Sequence, residues 1–185
     1  MDLRSRWPLD EALYQDLAAR YREPHRRYHT LQHLEECFAR FDELTALAEH
    51  PRDVELAIWF HDAIYDTRRT DNEARSAAWA RSIAGERVAN LVMATRHETL
   101  PQSADEKALV DVDLWILAAR RERFDEYEAQ VREEYGWVPA FVYRRKRREV
   151  LEGIAARPAI YSTAAFVERY EAQARENLAR SLARL

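Results

Sequence analysis

Cysteine occurs once among the 185 residues, at Cys37, so no intrachain disulfide framework can staple the fold. Glycine occurs three times, at Gly85, Gly136 and Gly153, and none sits in a Gly-rich phosphate loop or a dinucleotide-binding turn. Any cofactor or phosphate must therefore be held by side chains rather than by a glycine cradle. No apolar run approaches the roughly 18 residues that would suggest a membrane span. The opening segment MDLRSRWPLDEAL lacks the apolar core of a secretory signal. A cytoplasmic protein with no membrane partner is the expectation. Neither sign of charge dominates: 29 Lys+Arg against 33 Asp+Glu give a net charge of -4, so the surface as a whole does not attract nucleic acid or anionic lipid.

What is present is the makings of a helical core. Apolar residues reach 47% and charged residues 34%, too apolar for a disordered chain and too charged for a membrane bundle. Ala, Leu, Arg and Glu dominate, and these are strong helix formers. Leu31, Leu34, Cys37, Phe38, Phe41, Leu44 and Leu47 form one stripe at helical spacing. Further helices read as roughly 9–22, 53–65, 71–84, 86–97, 105–120, 122–135, 138–156 and 163–183, about nine in all, with Asp53, Asp71 and Ser103 as expected caps. The expectation is an all-α bundle in a single domain over 1–185, with the helices from about 122 onward packing on the core.

Three segments place polar chemistry inside apolar runs. Val54–Asp66 is apolar around nearly its whole circumference except for His61, Asp62 and its ends. A buried imidazole and carboxylate need a partner, because an unpaired buried charge costs several kcal/mol. A metal ion is one such partner; an arginine or a helix cap for Asp62 is another. Ala108–Leu117 repeats the anomaly with Asp111 and Asp113, which diverge by about 200° on a helix, so only one can face a given site. In Tyr28-His29-Thr30-Leu31-Gln32-His33 the helix is expected to begin near Thr30, leaving His33 helical and His29 at its entry. Imidazole and carboxylate together suit divalent cations.

The ordered set YHTLQHL, AIWFHDAIYD followed by DNEARSA, LVDVDLWIL, and a tail reading RPAIYSTAAFVERYEAQARENL resembles the HD superfamily of metal-dependent phosphohydrolases. More narrowly, it is similar to a branch of small stand-alone bacterial HD proteins, over residues about 20–180. The resemblance implies one divalent metal ion held by His33, His61, Asp62 and one aspartate of the DVD segment, with Asp113 preferred to Asp111. Two neutral imidazoles and two carboxylates offset a 2+ ion and leave room for water, which suits Mn, Mg, Fe, Co or Ni better than Zn. The implied reaction is hydrolysis of a small-molecule phosphate ester, a nucleotide first among candidates, by metal-activated water. Two alternatives stay open: a nonenzymatic metal-dependent nucleotide-binding or sensor module, and a di-iron HD-type oxygenase.

Further candidates surround that set. Asp66, four residues after Asp62, would share its face on a continuing helix and resembles the second acid of nucleotide-hydrolysing relatives. Glu73 follows at a helix start, where a capping role is the plainer reading. His97 ends an apolar helix and is a candidate general acid or phosphate contact, against the plain alternative of a dipole-favoured surface histidine. In the run Arg144–Arg148 five consecutive residues cover the whole helix circumference, so a nucleic-acid face is disfavoured. Arg144 and Arg147 lie nearest the buried side and, with Arg26, are candidates for a substrate phosphate or for internal ion pairs. A homodimer is compatible with this reading.

Overall fold

The helix-forming composition has its direct consequence in the architecture. The structure, a computed structural model, describes residues 2–185 and is all-α, with no strand among the described residues. The elements are α1 (Leu3–Arg6), α2 (Glu11–Arg20), α3 (Leu31–Leu44), α4 (Pro51–Phe60), α5 (Asn72–Ala84), α6 (Glu86–Ala94), α7 (Ala104–Leu114), α8 (Arg121–Glu134), α9 (Ala140–Ala155) and α10 (Ala164–Arg184). Short 3-10 turns follow α3 at Thr45–Leu47 and α7 at Trp115–Ala118. No helix among the described residues is long and apolar enough to cross a membrane. The chain divides into two compact units, the first running to Asp113 and the second spanning Leu114–Leu185.

In the first unit α5 packs on α6, both pack on α4, and α3 packs on α4. The seven-residue stretch Val54–Phe60 explains this central position: Val54, Ala57, Ile58, Trp59 and Phe60 are fully buried, with Leu56 nearly so. Trp59 is the hub, in edge contact with Trp7 and Tyr14, tilted against Phe38, and accepting through its carbonyl the Tyr21 hydroxyl proton at 3.0 Å. Such aromatic pairs contribute about 0.5–1.5 kcal/mol each beyond their buried area. The stripe of α3 buries Leu34, Cys37, Phe38, Phe41 and Leu44 as its spacing requires, while Leu47, beyond the helix end, is exposed.

Helix starts follow local chemistry. Pro51 occupies the first turn of α4, where its missing N–H is harmless, so Asp53 lies inside that turn and not at the expected cap position. Ser103 does cap: its Oγ accepts the Glu106 amide at 3.1 Å and the Glu106 carboxylate accepts the Ser103 amide at 3.1 Å, a reciprocal box. In the second unit Asn177 of α10 is fully buried and donates through Nδ2 to the carbonyls of Leu117 and Ala119 at 2.8 and 2.9 Å, satisfying the end of the 3-10 turn.

Candidate metal centre

Residues 61–66 leave the helix that the sequence extends to 65. The carbonyls that a continuing α4 would have paired internally are taken by side chains. Arg26, whose side chain is fully buried, donates from one terminal nitrogen to the Asp62 carbonyl at 2.7 Å and the His29 carbonyl at 3.2 Å. Its other terminal nitrogen donates to the Ala63 carbonyl at 3.1 Å, and its Nε to Glu23 at 3.1 Å. From α5, Ser76 accepts the Ile64 amide at 3.0 Å, and Asn72 brackets Asp66, accepting its amide at 3.1 Å and donating to its carbonyl at 2.9 Å. Three side chains thus replace the helical ladder and fix the turn that carries His61 and Asp62.

His61, at the end of α4, hydrogen-bonds through Nδ1 to the Ile58 carbonyl at 2.8 Å. A carbonyl only accepts, so Nδ1 carries the hydrogen and Nε2 is the atom turned to the interior. There it meets Nε2 of His33, from the first turn of α3, at 3.0 Å. Asp62 Oδ2 lies 3.1 Å from His61 Nε2 and 3.6 Å from His33 Nε2. Asp113 Oδ1, from α7, lies 3.5 and 3.4 Å from the same two nitrogens. Both histidines are buried, with 1–2% of their surface exposed. Cys37, one turn after His33, places Sγ 3.7 Å from His33 Nε2. His33, Cys37, His61 and Asp113 each offer a ligand atom within 4.8 Å of all the others and could hold a metal ion.

The separations suit a common ion. Ligand bonds of about 2.1 Å put neighbouring donors about 3.0 Å apart in an octahedral shell and about 3.4 Å apart in a tetrahedral one. Without an ion, protons and carboxylates balance the site. Burial pushes His61 down, yet the Asp62 and Asp113 carboxylates reverse this and hold it well above the ordinary histidine value. Burial raises Asp62 and Asp113, but His61 with His29 and His33 outweighs it at Asp62, and His33, His61 and His97 outweigh it at Asp113, so both stay well below the usual carboxylate range. Burial, with Asp113, Asp62 and Glu36 adding to it, pushes the Cys37 thiol well up, and its sulfur faces the Val112 carbonyl at 3.8 Å as a weak donor.

His97 reaches the same aspartate from outside: its Nε2 stands 3.0 Å from Asp113 Oδ2, leaving Oδ1 for the two inner histidines. Its backbone is left-handed, φ 57°, the single positive-φ residue other than glycine among the described residues. A histidine in a position that favours glycine costs about 1 kcal/mol of strain, which its side-chain placement must justify.

The sequence candidates divide accordingly. His33, His61, Asp62 and Asp113 come together, with His97 behind Asp113; Asp111, fully buried on the same helix, is not among the cluster donors. Asp66 does not share a helical face with Asp62, because α4 ends at Phe60, and its carboxylate accepts the Arg68 amide at 2.9 Å. Glu73, half-buried in the first turn of α5, is also outside the donor set. Arg26 is corrected from phosphate contact to clamp, since carbonyls and Glu23 take its donors. Arg147, in the second unit, is likewise an internal partner, ion-paired to Glu128 and donating to the Tyr127 hydroxyl at 2.7 Å; Arg144 is exposed on α9. Cys37 is the candidate donor that sequence reasoning left out, although its position one turn after His33 was the available signal. Comparison of the chain with protein families, curated proteins and solved structures returns no match.

Proposed function

We propose that this protein is a metal-dependent phosphohydrolase of the HD type, in which His33, His61, Asp62 and Asp113 hold one divalent ion and the substrate is a small phosphorylated metabolite, a nucleotide first among candidates. The observation that carries the reading is the pair of buried Nε2 atoms 3.0 Å apart, ringed by two carboxylates at 3.1–3.6 Å. Two imidazole nitrogens turned on each other, bridged by a proton when no ion is bound, offer their lone pairs to a cation that replaces that proton, and two carboxylates neutralise a 2+ charge. Mixed nitrogen and oxygen donors favour Mn, Mg, Fe, Co or Ni over closed tetrahedral zinc.

When bound, such an ion lowers the pKa of coordinated water and polarises a phosphoryl oxygen. The chain's own residues supply the orientation. The Ile58 carbonyl holds the His61 ring so that Nε2 faces inward, His97 holds Asp113 so that Oδ1 does, and Arg26 fixes the backbone beneath Asp62. His97 is partly exposed, which puts its ring on the solvent side of the cluster, where a substrate enters.

The test is elemental mass spectrometry of wild type and Asp62→Ala after the same incubation with mixed divalent cations, followed by a phosphate-release screen against nucleotides. About one ion per chain in wild type, sharply reduced in the variant, with phosphate released only by wild type, is the expected result. No specific ion in wild type would remove the reading; an ion with nucleotide binding but no turnover would make the protein a sensor. His97→Gly gives a sharper check on the support of Asp113. Relief of the left-handed strain offsets the lost hydrogen bond, so metal-free stability should change by no more than about 1 kcal/mol. Metal affinity should nevertheless fall about 10–100-fold. Thermal unfolding of the metal-free protein and a metal titration read the two effects separately.

A further inference from the structure

We propose that Cys37 is a metal ligand, and that the centre holds thiophilic divalent ions through His33, Cys37, His61 and Asp113 while hard ions draw on Asp62 instead. This rests on the reading of the cluster as a metal centre and goes beyond it in assigning two donor sets to one site.

Geometry singles out the sulfur. Cys37 follows His33 by four residues on α3, so both side chains project from one face of that helix. A zinc-like ion with bonds of about 2.3 Å to sulfur and about 2.05 Å to nitrogen puts these atoms about 3.6 Å apart at the tetrahedral angle. The observed separation from Sγ to His33 Nε2 is 3.7 Å, and the same to Nδ1, so the sulfur stands against the ring at the required range and a turn of the imidazole aims Nε2 at the shared ion. The four donors all lie within 4.8 Å of one another and come from α3, the end of α4 and α7, so little rearrangement is needed to enclose an ion. Asp62 is not one of those four; its Oδ2 sits nearest His61 and farther from His33. Binding through sulfur forms a metal–sulfur bond, breaks the S–H bond and its weak contact with the Val112 carbonyl, and passes the proton to solvent. Thiolate favours Zn2+, Cd2+ and, among coloured probes, Co2+, whereas carboxylate and water suit Mn2+ and Mg2+. A buried thiol and a carboxylate flanking the same two imidazoles therefore make the donor set depend on the ion.

The decisive experiment titrates the full-length metal-free protein with Co2+ and follows its absorption spectrum, using wild type and Cys37→Ser. The chain has one cysteine, so a near-ultraviolet sulfur-to-cobalt charge-transfer band identifies its ligand without ambiguity. Wild type should show that band with the visible d–d bands, and Cys37→Ser should keep only the latter. In parallel, Cys37→Ser should lose about tenfold or more in Zn2+ affinity and stay within about twofold of wild type for Mn2+. Visible d–d bands with no charge-transfer band in wild type would overturn the inference and leave the metal centre standing. Equal losses of Zn2+ and Mn2+ affinity would make Cys37 a packing residue. Failure of wild type to bind either ion would overturn both readings.

Discussion

Arg26→Ala is expected to destabilise the protein by about 3–5 kcal/mol, chiefly because three carbonyls lose their donor at about 1–3 kcal/mol each, while Glu23, 27% exposed, keeps Arg20 as a partner. The guanidinium is fully buried and joins four groups: the Glu23 carboxylate and the carbonyls of His29, Asp62 and Ala63. It also stacks against Tyr21 and Tyr65, 5.1 and 5.4 Å from their ring centroids, so alanine removes packing as well as charge. The carbonyls left behind would each be deprived of a donor in a place where water cannot easily replace it. For a chain of this size, thermal unfolding should fall by on the order of 10 °C. The Asp62 turn also loses its anchor, so metal affinity should drop in the same variant. Arg26→Lys should recover little of either, because an ammonium cannot reproduce the planar fork that reaches the His29, Asp62 and Ala63 carbonyls together. Unfolding and metal titration of the two variants check this; near-wild-type stability in Arg26→Ala would show that the 61–66 turn is held by Ser76 and Asn72 alone.

The same arginine shows where sequence reasoning ends. Helical periodicity exposes α3, the apolar circumference exposes α4, and polar residues inside apolar runs expose His61, Asp62 and the DVD pair; each is a local signal readable along one helix. The end of α4 at Phe60 is not local. It depends on a guanidinium 36 residues upstream of Asp62, and no propensity of Ile64 or Tyr65 announces it. Asp66 was misplaced for that reason: the i, i+4 rule holds only while the helix continues. For Arg26 and Arg147 the sequence leaves phosphate contact and internal pairing both open, because Glu128 and the Asp62 and Ala63 carbonyls come close only in the fold, although Glu23, three residues before Arg26, is a local partner. Asp113 and Asp111 are equivalent by composition; the approach of α3 and the His97 turn distinguishes them.

Metal affinity should rise about tenfold per pH unit across the range where His61 is protonated in the metal-free protein, because binding must expel that proton. The sign follows from opposed shifts. His61 is raised well above its ordinary value by Asp62 and Asp113 despite burial, so the stabilisation from its charged form is fully present below about pH 6.5 and is lost as pH rises through the folded value. Asp62 and Asp113 are lowered, so their stabilisation is present above about pH 4 and is lost as pH falls through their folded values. The metal-free protein is therefore expected to be most stable between about pH 4 and 6.5, held by an imidazolium between two carboxylates. The ion takes the place of that proton, so its stabilising effect grows as pH rises. Thermal unfolding with and without Mn2+ from mildly acidic to mildly alkaline pH should show two curves that diverge, and calorimetry in buffers of different ionisation enthalpy should register about one proton released per ion bound near neutrality. Parallel curves with no proton release would mean that His61 is already neutral and that the carboxylates are balanced by another group.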